Sequence, residues 1–143
     1  MTQDTVVEIM IEQLQRQFPK RCTYCGRQFA NLKDYLTHTV QLGEPISLDA
    51  EELDWVPLQP QGAFALANCA CGTTLCLPIK GTNLFSMWSL LLWIKRNSQK
   101  RAISVNQLLL ELRDHAEKKV LSRKHNIGHF NTNHISLHCN RGL

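Results

Sequence analysis

Two short runs hold most of the chemistry available to this chain: CTYCG at 22–26 and CACG at 69–72. A Cys-x-x-Cys-Gly or Cys-x-Cys-Gly turn is tight enough for its two sulfurs to converge on one point. The glycine takes the positive-φ corner that follows, and the backbone N–H groups of the turn aim at the sulfurs. One such turn supplies half a tetrahedron. Cys22 and Cys25 together with Cys69 and Cys71 supply all four corners, the donor set Zn²⁺ takes in a closed structural site. Four thiolates on one divalent ion leave excess negative charge, and Lys20, Arg21 and Arg27 stand beside the first pair to offset it.

Other uses of these cysteines fit less well. The N-terminus, MTQDTVVEIMIEQL, has an acidic residue where a secretory leader would be positive, and its apolar residues are spaced. It reads as no leader and places the chain in the cytoplasm, where thiols stay reduced, so a disulfide framework is disfavoured. Iron also suits a Cys-x-x-Cys-Gly turn, and the Cys69/Cys71 pair is open to use as a redox sensor. Cys76, five residues past Cys71, reads as a core thiol, and Cys139 as unliganded.

The matching residues Cys22, Cys25, Gly26, Cys69, Cys71 and Gly72 resemble the zinc-ribbon and rubredoxin-like folds, in which two Gly-ended knuckles on separate hairpins clamp one ion. That resemblance implies metal binding without implying any particular function. The segment CTYCGRQFANLKDYLTH also resembles the first half of a two-Cys-two-His finger, with Phe29 and Tyr35 at its core positions. There His38 would be the third ligand. The fourth histidine of that pattern is missing at 42–44, which reads LGE, so His38 stands as a substitute ligand to a site otherwise made of four cysteines.

The elements that position these residues can be read from periodicity. Asp4 or Thr5 caps a helix over about 5–17, with Val6, Met10 and Leu14 on one stripe and Pro19 after it. A second helix runs through NLKDYLTHTVQL to Gly43, so the first knuckle spans 20–42. Residues 43–62, with three prolines and five acidic residues, read as a long acidic loop held by Trp55, Val56 and Leu58. AFALANCACGTTLCLPI (63–79) reads as a β-hairpin with the second knuckle at its turn.

Thr82 or Asn83 then caps a helix of about 84–97, and KRNSQKR (95–101) is a basic connection. Ser104 and Gln107 form a capping box into a last helix over 105–122, with Leu108, Leu109, Leu112, Ala116 and Val120 inward. The two C-terminal helices thus occupy 83–122. Residues 125–143, rich in Asn and His, read as a flexible tail, with His125, His129, His134 and His138 in pairs four apart. The expected architecture is one α+β domain over 1–124, mostly helical with one zinc-clamped β-hairpin.

At 143 residues, 43% hydrophobic and 20% charged, the chain has the make-up of a single globular domain with a real core. Its longest apolar run, LFSMWSLLLWI (84–94), is too short to cross a bilayer. Charge is unevenly divided: 5 Lys/Arg against 9 Asp/Glu in residues 1–79, then 11 against 3 in 80–143. No phosphate-cradling glycine motif is present, and four sulfurs would leave a metal no open position for water. We therefore expect no catalysis and no small-molecule substrate.

The function expected is that of a small zinc-binding regulatory or protein-interaction module, with a protein partner or homodimer engaged through Trp88 and Trp93. The alternative is a nucleic-acid-binding regulator that uses Lys95, Arg96, Lys100 and Arg101 on phosphates.

Overall fold

A computed structural model of the chain describes residues 1–47, 62–79 and 84–123. The anchors expected at Trp55, Val56 and Leu58, the Thr82/Asn83 cap and the His-rich tail lie outside the described residues. What is described is an α+β mix: α1 Gln3–Gln15, β1 Lys20–Arg21, β2 Gln28–Phe29, α2 Leu32–His38, β3 Thr39–Ser47, β4 Ala63–Cys69, β5 Thr74–Ile79, α3 Leu84–Arg101 and α4 Val105–Ser122. Among these residues no helix is long and apolar enough to cross a membrane.

α1 begins two residues earlier than its pattern suggested, because Thr2 rather than Asp4 or Thr5 caps it, its hydroxyl accepting from the Thr5 N–H. Val6, Val7, Met10, Ile11 and Leu14 form its buried stripe. α4 starts where the capping box placed it, with the Ser104 hydroxyl accepting from Gln107 N–H at 3.0 Å. Its buried residues are Leu108, Leu109, Leu112, Ala116 and Val120, the stripe read from the sequence. The two helices pack together, and Lys119 on α4 and Arg123, its C-cap, pair with Asp4 and Glu8 on α1 at 2.7 Å.

Three elements differ from the sequence reading. First, α2 stops at His38 instead of reaching 42, and Thr39–Ser47 is a strand that takes in the first residues of the supposed acidic loop. The hairpin becomes a three-stranded antiparallel sheet in the order β3-β4-β5. β3 hides from periodicity because it is bulged. Leu42 pairs with Leu66 and Ile46 with Phe64, so Gly43, Glu44 and Pro45 together oppose Ala65 alone. Gly43 turns the bulge at φ +60, and Pro45 is fully buried.

Second, the first knuckle is itself a hairpin, with Lys20 paired to Phe29 and Arg21 to Gln28. Third, KRNSQKR is not a connection. It forms the last two turns of α3, whose residues at 95–101 are ordinary helix formers once the apolar stripe Met87, Leu90, Leu91 and Ile94 is seated. The helix ends in a Schellman motif: Ile103 N–H bonds the Ser98 carbonyl at 3.1 Å and Ala102 N–H bonds Gln99 at 3.2 Å. Ala102 takes the left-handed corner at φ +53, a place normally given to glycine.

The sheet's inner face offers Ala63, Ala67, Leu75, Leu77 and Ile79 to the core. α1 packs on β5 and α4 along β3. Both outer strands are tied to helices by polar side chains. Arg113 donates to the Gly43 carbonyl at 2.7 Å, Asn106 Oδ1 accepts from Ser47 N–H at 3.3 Å, and Gln17 donates to the Pro78 carbonyl.

Two consequences can be measured by urea unfolding. Leu112→Ala empties a fully buried site and is expected to cost about 2–5 kcal/mol. Ala102→Gly relieves the left-handed corner and is expected to stabilise by up to about 1 kcal/mol, because the lower steric cost outweighs the added freedom of the unfolded chain.

Candidate metal centre

The β1–β2 hairpin and the β4–β5 turn meet tip to tip, and each is built to aim two sulfurs. In the first, Cys22 N–H bonds the Arg27 carbonyl at 2.8 Å and Gly26 N–H bonds the Cys22 carbonyl at 2.9 Å. In the second, Cys69 N–H bonds the Thr73 carbonyl at 2.9 Å and Gly72 N–H bonds the Cys69 carbonyl at 2.8 Å. Gly26 at φ +76 and Gly72 at φ +90 occupy the corners that spacing assigned to them. The two turns are near-copies of one another, despite the residue missing from the second.

The four sulfurs converge. Cys22 Sγ lies 3.7 Å from Cys71 Sγ, Cys25 Sγ lies 3.7 Å from Cys69 Sγ, and all four fall within 4.8 Å of one another. A disulfide needs about 2.05 Å, so these are separate thiols. With zinc–sulfur bonds of about 2.3 Å, a regular tetrahedron has sulfur–sulfur edges of about 3.8 Å. The two short edges have that length, and they join opposite hairpins. The residues present therefore fit one metal ion bound by four thiolates.

Burial and hydrogen bonding act in opposite directions on these thiols. Desolvation pushes Cys69 well above an ordinary thiol, although the Cys71 N–H aimed at its sulfur partly opposes this. Cys71 is pulled down, first by the Thr73 hydroxyl 3.2 Å from its sulfur and then by the Thr73 backbone N–H. Cys22, Cys69 and Cys71 are buried and Cys25 is half-buried, so a bound ion would be largely shielded from water. Such a site is closed, with four protein sulfurs and no vacant position.

An aromatic wedge ties the centre to the core. Tyr35, buried on α2, meets Phe29 edge-on at 5.3 Å and Phe18 at 5.6 Å. Burial pushes its phenol up to about 12. Arg27 lies over the outer side of Phe29, 5.5 Å from the ring centre, and places its charge beside the first knuckle.

His38 is not part of the cluster. Its exposed ring turns back on its own helix, with Nδ1 2.8 Å from both the carbonyl oxygen and the carboxylate of Asp34. Cys76 is exposed and not in the core. Strand alternation explains this: β5 turns Leu75, Leu77 and Ile79 inward, so the residue between the two leucines faces out.

Of the basic residues considered for nucleic acid, Lys95 is buried, and Arg101 is gripped by both carboxylate oxygens of Glu111 at 2.6 and 3.0 Å. Arg96 and Lys100 are exposed. Trp88 and Trp93 are half-buried. Trp93 packs against the core and donates its indole N–H to the Met1 carbonyl at 2.9 Å.

No protein-family model, curated protein or solved structure matches this chain.

A direct comparison separates the two ligand sets. His38→Ala is expected to leave metal stoichiometry unchanged, and Cys69→Ser to lose the ion or weaken its retention against a chelator by orders of magnitude. Elemental analysis after dialysis against a chelator reads both.

Proposed function

We propose that this protein is a non-catalytic interaction module whose fold is held by one structural Zn²⁺ on Cys22, Cys25, Cys69 and Cys71. The observation that carries the reading is the pair of 3.7 Å sulfur–sulfur edges between the two hairpins. A site of four thiolates has no place for a substrate or an activated water, so the ion works as a cross-link. It joins segments 44 and 49 residues apart, where closing the loop without it is entropically costly.

Structural zinc contributes about 10–16 kcal/mol in zinc-finger peptides at neutral pH, as large as the whole stability of a typical domain. The fold would then depend on the ion, and its exposed surfaces would supply the activity through binding.

Metal analysis and a thiol count on freshly purified, reduced protein test this reading. One zinc per chain is expected, with only the two cysteines outside the cluster, Cys76 and Cys139, reacting quickly. Removing the metal with a strong chelator should unfold the domain cooperatively by circular dichroism. Iron in place of zinc, or a metal-free protein with the same stability, would overturn it.

A further inference from the structure

The three-stranded sheet distributes its side chains unusually. Toward the helices β4 sends Ala63, Ala65 and Ala67, and toward the outside it sends Phe64, Leu66 and Asn68. The register adds Val40, Leu42 and Ile46 from β3 and Thr74, Cys76 and Pro78 from β5 to the same outer face. Val40 is 69% exposed and Ile46 41% exposed, Cys76 is exposed, and Leu42, Phe64, Leu66 and Pro78 are half-buried. The β3 bulge adds two residues, an even number, so Ile46 stays on the face that Leu42 occupies. The large apolar side chains of β4 therefore lie on the side that none of the described helices covers, a distribution that marks an interface.

We infer that this outer face is the contact between two copies of the chain, packed sheet against sheet. The inference rests on the interaction role proposed above and names the partner. Three observations favour a second copy. Across the three strands the single charged side chain is Glu44, exposed in the β3 bulge, so the paired apolar positions of identical faces meet with little like-charge repulsion. A partner chosen by charge would find only Glu44 there to read.

Joining edge to edge is hindered, because Arg113, Asn106 and Gln17 already occupy backbone groups of the two outer strands. That leaves the face. Finally, the area suffices for a modest dimer. Strands about 4.8 Å apart and about 3.3 Å per residue give roughly 300 Å² of sheet, or roughly 500–600 Å² of accessible surface once side-chain relief is included. Two copies would bury on the order of 1,000–1,200 Å², at the lower end of specific interfaces, which predicts reversible association in the micromolar range.

Sedimentation equilibrium of the full, metal-loaded chain from about 1 to 300 µM tests this. The wild type is expected to rise from one to two chains in mass across that range. Val40→Asp, at the most exposed position of the face, is expected to weaken association at least about tenfold, and Leu66→Asp at its centre more strongly. Tyr24→Ser, at the exposed knuckle tip, should change nothing.

A wild type that stays monomeric throughout, or a dimer that Val40→Asp leaves intact, would overturn the inference. Zinc content measured on the same samples separates the two proposals. A zinc-bound monomer refutes the pairing and leaves the metal reading standing, whereas a metal-free dimer does the reverse. Val40→Asp keeps the test decisive even if Leu66→Asp fails to fold.

Discussion

Four cysteine sulfurs, three of them buried, converge on one point, and as thiolates they would repel one another unless a cation lay between them. Much of the described fold follows from meeting that condition. The first pair needs a rigid hairpin, which β1 and β2 supply with two residues each. The second needs a turn at the same height, which the register of β4 and β5 supplies. Tyr35 and Phe29 then fill the space between the centre and the helices, so that the sulfurs are set by packing as well as by their own turns. The charge balance follows the same logic: Lys20, Arg21 and Arg27 flank the first knuckle, and the Thr73 hydroxyl beside Cys71 favours the thiolate there.

The sheet answers to a second requirement, close approach of the helices. Alanines at 63, 65 and 67 on its inner face let α1 and α4 lie near the strands. On β4, small inward residues leave the larger ones on the other side, so close packing within the molecule and an apolar exterior share one cause there. The β3 bulge serves both sides, burying Pro45 inward while keeping Leu42 and Ile46 outward. Proline suits that position because an outer strand needs no donor on its free side.

How much of this was legible depended on how local the determining physics is. The cysteine cluster was readable because Cys-x-x-Cys-Gly and Cys-x-Cys-Gly fix sulfur geometry within five residues, wherever the partner turn lies. α1 and α4 were readable because each has an uninterrupted apolar stripe, and α4 also has the capping pair Ser104 and Gln107, whereas the cap of α1 lay two or three residues earlier than read, at Thr2. β3 was not, since its bulge breaks alternation and its glycine and proline imitate a loop. α3 ran past its expected end because a run of charged residues says nothing against helix, and its stop signal is an alanine in a glycine's place. Cys76 was misplaced for a related reason. Strand parity depends on register, and register is set by β4, not by β5 alone. The outer apolar face had a visible signal, in the large–small alternation from Ala63 to Ala67, but alternation alone does not say which side the helices take.

The ion pairs between α1 and α4 join residues 115 positions apart, Asp4 to Lys119 and Glu8 to Arg123. A ribosome adds about 5–20 residues per second, so α1 emerges roughly 6–23 s before the helix that covers it. Through that interval Val6, Met10 and Leu14 have no α4 to pack against. The second knuckle, ending at Gly72, is complete well before α4, so all four candidate ligands emerge while the helical layer is still unfinished. On the zinc reading, then, the centre could close before α4 is made, and α1 would wait longest for its partner.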